Sequence, residues 1–134
     1  MMEISEDSLF LSVKELIRQS HEKVFRIANS TLLLTYWQIG KLIVEDEQQG
    51  KERAEYGKYI LKNLSQKLTL EFGKGFDESN LRNMRSFYQT FPICDALRHE
   101  LSWTHYRLLI RLNDSDKINY YIKSFRQQIF TLSP

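Results

Sequence analysis

A chain of 134 residues fits one domain, and with 42% hydrophobic and 13% aromatic residues it can build a core, so disorder is excluded as the default reading. The single cysteine, Cys94, excludes an internal disulfide and fits a reducing cytoplasm. The net charge of +2 is unevenly spread: residues 1 to 55 carry ten acids against seven bases, residues 56 to 91 three against six, and residues 92 to 134 four against six.

Two prolines and five glycines leave long uninterrupted stretches, which favours an all-α fold over a sandwich or barrel with many turns. The opening "MMEISEDSLF" is acidic where a secretory signal would be basic and then apolar. The most apolar run, around Leu32 to Leu34, is far shorter than the roughly 20 residues of a membrane span. These features together predict a cytoplasmic protein.

From Leu9, apolar or small residues recur at Val13, Leu16, Ser20, Val24, Ile27, Thr31 and Leu34, in steps of three and four that average close to the helical period. This predicts one long amphipathic helix, or two nearly collinear ones with a break near Asn29 and Ser30, residues that favour caps. "LLLTYWQIGKLI" is apolar almost all round and is expected to be buried on several sides. Gly50 is the expected turn.

A second helix is expected from Ala54 or Tyr56 to Phe72, with Tyr56, Ile60, Leu64, Leu68 and Phe72 four apart and Leu61 beside them, and with Lys58, Lys62, Gln66 and Thr69 opposite. Gly73, Lys74 and Gly75 then form a short turn. Asp77 reads as the N-cap of a third helix, with Phe76 and Leu81 as its hydrophobic staple. On a helical wheel Leu81, Met84 and Tyr88 lie together, with Phe91 to one side, and should pack on the preceding helix. Opposite them lie Ser79, Arg82, Asn83, Ser86 and Gln89, with Arg85 on the flank.

Past Pro92, "ICDALRHE" reads as one helical turn at most. Ser102 repeats the capping logic with Leu101 and Tyr106 as its staple, Leu109 and Ile110 turn inward, and Arg107 and Arg111 stand on another side. Asp114 or Ser115 caps a last helix through Ile118, Tyr121, Ile122 and Phe125. The expected core is Val24, Leu34, Trp37, Ile60, Leu64, Leu68, Leu81, Met84, Tyr106, Leu109 and Ile110.

Two helices joined by a glycine turn, the second amphipathic, form the helix-turn-helix pattern. Arginine pairs with guanine, asparagine and glutamine pair with adenine, and serine reaches base or phosphate. The DNA-binding candidates are therefore Ser79, Arg82, Asn83, Arg85, Ser86 and Gln89, with Lys62 and Lys74 on phosphates. Helical hairpins with polar outer faces are also common in proteins that bind no nucleic acid. The alternative is a protein–protein interaction or oligomerisation domain without direct nucleic-acid binding.

"LLLTYWQIGKLI", "ERAEYGKYILKNLSQKLTLEFGKGFDESNLRNMRSFYQTFP" and "LSWTHYRLLIRLND" resemble, in order and spacing, the N-terminal domain of the YhcG family of bacterial proteins, over about residues 10 to 122. The resemblance implies a helical, helix-turn-helix-like domain, with its core over about 54 to 92 and a C-terminal helix pair over about 102 to 130. It also implies a following nuclease domain of the PD-(D/E)XK superfamily, as a domain or subunit partner. The present sequence stops at Pro134, as an excised domain or a stand-alone member would.

That superfamily places an acid two residues before a lysine, so that carboxylates hold a divalent metal beside it. No lysine here has Asp or Glu two positions before it, and "DSDK" at Asp114 to Lys117 has the wrong spacing. The chain is thus expected to be non-catalytic, with no metal or other cofactor. Cys94, His99 and His105 fit neither a zinc pattern nor a nucleophile motif, and "GKG" lacks the rest of a P-loop. A first helix of some forty residues, about 60 Å long, would outreach so small a domain and predicts a homodimer along it, or cover by a C-terminal domain.

Overall fold

The computed structural model describes residues 2–49, 54–112 and 114–132, with side chains described for 6–49, 59–112 and 114–128. Among them the chain forms five helices: α1 (Met2–Gln49), α2 (Ala54–Phe72), α3 (Glu78–Thr90), α4 (Trp103–Leu109) and α5 (Ser115–Leu132), with a 3-10 turn at Cys94–Ala96. No strand occurs among the described residues. The architecture is all-α, as the periodicity predicts. Gly50 and the side chains of Tyr56 and Lys58 lie outside what is described.

The first helix runs unbroken for 48 residues, about 70 Å at 1.5 Å per residue. Of the two alternatives the single long helix is the one observed: no break occurs at Asn29, whose side-chain Nδ2 reaches across the fold and donates to the carbonyls of His99 at 3.0 Å and Leu101 at 2.9 Å. That bond marks where the globular part begins. On the C-terminal side Leu33, Trp37, Gly40 and Ile43 are buried, whereas Leu32 and Leu42 on the other side are exposed, so this run is not covered all round. On the N-terminal side Val24, expected in the core, is 64% exposed, because none of the other described helices covers that part of α1.

Two apolar clusters hold the domain. One joins Leu33 and Trp37 of α1 to Phe87 of α3, to Leu97 and Leu101, and to Tyr106 and Leu109 of α4, with Ile118, Ile122 and Phe125 of α5 half-buried on it. The other joins Ile43, Leu61, Leu81 and Met84, with Ile60, Leu64, Leu68 and Phe76 packed against it. Trp37 Nε1 donates to the Phe91 carbonyl at 2.6 Å, tying α1 to the end of α3.

The third helix is the centre of the bundle, and this corrects its expected packing. It lies chiefly on α1 and only secondarily on α2. Phe87, left off the expected stripe, is fully buried between Phe91, Trp103 and Tyr106, with ring centroids 5.9, 5.2 and 4.8 Å away. Tyr88 is half-buried, edge-on to Trp37 at 5.2 Å. The close α1–α3 crossing needs Gly40, where a Cβ would stand 2.0 Å from the Met84 carbonyl oxygen.

Two apolar positions, one within α5 and one at the end of α2, also depart from expectation. Tyr121 is 42% exposed and Phe72 is 65% exposed.

Candidate nucleic-acid interface

The α2–α3 turn sets the geometry. Gly73 (φ 83°) and Gly75 (φ 110°) adopt backbone conformations that favour glycine, and the Gly73 N–H donates to the Thr69 carbonyl at 2.9 Å to close α2. Asp77 accepts from the Asn80 N–H at 3.0 Å and caps α3, while Phe76 packs on the cluster containing Leu81.

Asn80 fastens this turn to the rest of the domain. Its Nδ2 donates to the Gly75 carbonyl at 2.6 Å, and its Oδ1 accepts from Trp103 Nε1 at 3.1 Å. These two bonds join the turn and α3 to α4. Between them lies a polar depression of about 440 Å³ with Lys74, Ser79, Asn83 and Arg107 among its lining residues.

Lys74 and Ser79 are exposed and Asn83 is half-buried, so the structure brings three of the sequence-chosen residues together and adds Arg107. Arg107 is a full 24 positions from Asn83, and no local pattern pairs the two; its only signal is that α4 turns Tyr106 and Leu109 inward and so turns Arg107 out.

Beyond the depression, Arg82 and Gln89 are exposed and Ser86 is half-exposed along the outer stripe of α3. Arg82 Nη2 donates to Glu78 Oε2 at 3.1 Å. Such an exposed pair one turn apart is worth only about 0.3–0.5 kcal/mol, so the guanidinium exchanges partners easily. Arg85 differs: its Nη1 donates to Glu47 Oε1 of α1 at 2.8 Å, with both side chains about 30% exposed, which holds it on the α1 edge. Lys62 is exposed on α2, outside the lining of the depression.

The residues weighed for chemistry have structural duties. Ser102 caps α4: its Oγ accepts from the His105 N–H, and its own N–H donates to His105 Nδ1 at 3.1 Å. That contact requires a neutral ring, and burial against Phe125, stacked at 4.6 Å, lowers the His105 pKa below its ordinary value. Tyr106 exchanges hydrogen bonds with the Arg98 backbone, and burial pushes its pKa up to about 12. Cys94 packs half-buried on the first cluster. Among the described residues no group of three or more His, Cys, Asp or Glu is placed to hold a metal ion, and no helix is long and apolar enough to cross a membrane.

Comparison with known proteins gives a consistent picture. The family described as DUF1016 N-terminal domain matches residues 12–133. The protein named "Putative nuclease YhcG" from Escherichia coli (strain K12) is 42% identical over 76 residues, which is 57% of this chain and 20% of that protein. This chain thus spans about a fifth of that relative's length. No solved structure matches.

Proposed function

Because this chain belongs to the DUF1016 N-terminal domain family, we propose that it is a non-catalytic, helix-turn-helix-like module that binds DNA and so targets or positions a nuclease in the cytoplasm. The nuclease, of the PD-(D/E)XK type, is supplied as a further domain or as a partner subunit. The observation that carries the reading is the outward stripe of Ser79, Arg82, Ser86 and Gln89 on α3, which continues at one end into the depression rimmed by Lys74 and Arg107. The stripe offers groups suited to base edges, and the rim offers two cations suited to phosphates. Arg85 acts through α1, steadying the helix rather than reading DNA.

A second reading, as a protein–protein interaction domain, is favoured by a different observation: Leu9, Phe10, Val13, Leu16 and Ile17 are all exposed on α1. The two readings are compatible, since dimeric helix-turn-helix proteins use one surface to pair and another to read.

The test is duplex binding by fluorescence anisotropy from low to physiological salt. Wild-type affinity should fall steeply with salt, and Lys74→Ala with Arg107→Ala should flatten the log–log slope by about two. Arg82→Ala with Asn83→Ala should cost about 1–3 kcal/mol of discrimination between sequences. Absence of salt-dependent binding by the wild type would remove the DNA reading and leave the interaction reading standing.

A further inference from the structure

Two apolar surfaces are left uncovered among the described residues. One is the arm of α1 before Asn29, where Leu9, Phe10, Val13, Leu16, Ile17, Val24 and Ile27 are between 44% and 66% exposed. The other is a groove of about 750 Å³ between α1 and α2, floored by Ile43 and walled by Ile39 and Leu42 on one side and by Leu64, Leu68 and Phe72 on the other. Both helices pack on α3, and the groove opens between them.

We propose that each surface is the partner of the other in a second copy of this chain, so that two molecules pair antiparallel along α1 and each lays its arm into the groove of its mate. The helical period carries the inference. Leu9, Val13, Leu16, Ser20, Val24, Ile27 and Thr31 form a stripe that winds slowly round α1 into Thr35, Ile39, Leu42 and Asp46, the α1 wall of the groove, a drift that keeps facing a partner helix coiled about it. An antiparallel pair crossing between Ile27 and Ala28 sets Val13 opposite Leu42, Leu16 opposite Ile39, Ser20 opposite Thr35 and Leu9 opposite Asp46. Arm and groove are then satisfied together by one two-fold axis, the isologous closure expected of a homodimer. Overlap of about 40 residues gives a seam about 60 Å long and about 10 Å wide, or about 600 Å² per molecule, and the groove wall on α2 brings this to the roughly 800 Å² of a standard interface. The arm suits a helix-in-groove mode, with anchors at three- and four-residue steps.

This pairing does not depend on α3 contacting DNA, and it is measured without nucleic acid. In sedimentation equilibrium at tens of micromolar, the 16.0 kDa chain should run as a dimer of twice that mass. Leu16→Glu on the arm and Leu42→Glu on the groove should each weaken association at least about 100-fold, because every dimer would bury two uncompensated carboxylates. Near-ultraviolet circular dichroism of the aromatic cluster should be unchanged, since both leucines are exposed and lie outside it.

In a Cys94→Ser background, Val13→Cys with Leu42→Cys should form an intermolecular disulfide on oxidation, and Val13→Cys alone should not. A monomeric wild type, a dimer indifferent to both charged variants, or cross-linking of Val13→Cys alone would overturn the proposal.

Discussion

Replacing Gly40 with alanine adds one methyl group, and its destination is the backbone of another helix. The new Cβ would stand 2.0 Å from the Met84 carbonyl oxygen and 3.1 Å from Tyr88 Cβ. A carbonyl oxygen on a central helix cannot swing aside like a side-chain terminus. α1 and α3 must therefore separate by more than about 1 Å to restore ordinary contact, loosening Trp37 against Tyr88 and Ile43 against Met84. Overpacking of this kind costs toward or beyond the upper end of about 1–3 kcal/mol, while alanine in place of glycine returns about 1 kcal/mol of helix propensity. The net expectation is a loss of about 2 kcal/mol or more, equivalent to a fall in Tm of about 6 °C or more for a domain of this size. Urea denaturation followed by tryptophan fluorescence measures it, and Gly40→Ser should lose at least as much. A Gly40→Ala protein as stable as wild type would show that α1 and α3 do not cross this closely.

Three further outcomes follow from the packing. Phe87→Ala, which empties the middle of the first cluster, should cost about 3–5 kcal/mol in the same assay. Asp77→Ala removes the α3 cap and should cost about 1 kcal/mol, with a matching loss of amide protection in the first turn of α3. His105 titrates below its ordinary value in the folded state, so the unfolded chain binds the extra proton first as pH falls. Its stabilising contribution is full above about pH 6.5 and is lost as pH drops through the lower folded value. His105→Gln keeps the reciprocal capping bond without the titration, so between about pH 7 and 5 the wild type should lose more Tm than this variant.

The ends of elements were legible in the sequence and their burial only partly so, for a physical reason. Asp77, Ser102 and Gly73 act on backbone groups within four residues of themselves, and a local pattern contains all that is needed to place them. Phe87 and Gly40 acquire their roles from partners on other helices, most of them distant in sequence, and a wheel drawn for one helix cannot show that α3 is covered by α1 and α4 at once. Val24 repeats the helical period as faithfully as Trp37 does, yet only Trp37 has this chain packed over it.

The candidate site divides in the same way. Ser79, Asn83 and Lys74 came from one short stretch and meet in one depression, whereas Arg107 joins them only through the tertiary packing of α4, and Arg85 is taken up by Glu47 of α1.

The most direct test of the DNA reading is a map of which amides respond when duplex DNA is titrated into the isotopically labelled protein, recorded by two-dimensional NMR at low salt and again at physiological salt. Shifts should concentrate at Lys74, Ser79, Arg82, Asn83, Ser86, Gln89 and Arg107, weaken as salt rises, and leave Leu9 to Ile27 of the α1 arm unmoved. A spectrum that does not change with DNA, or changes centred on the arm and the α1–α2 groove, would contradict the account.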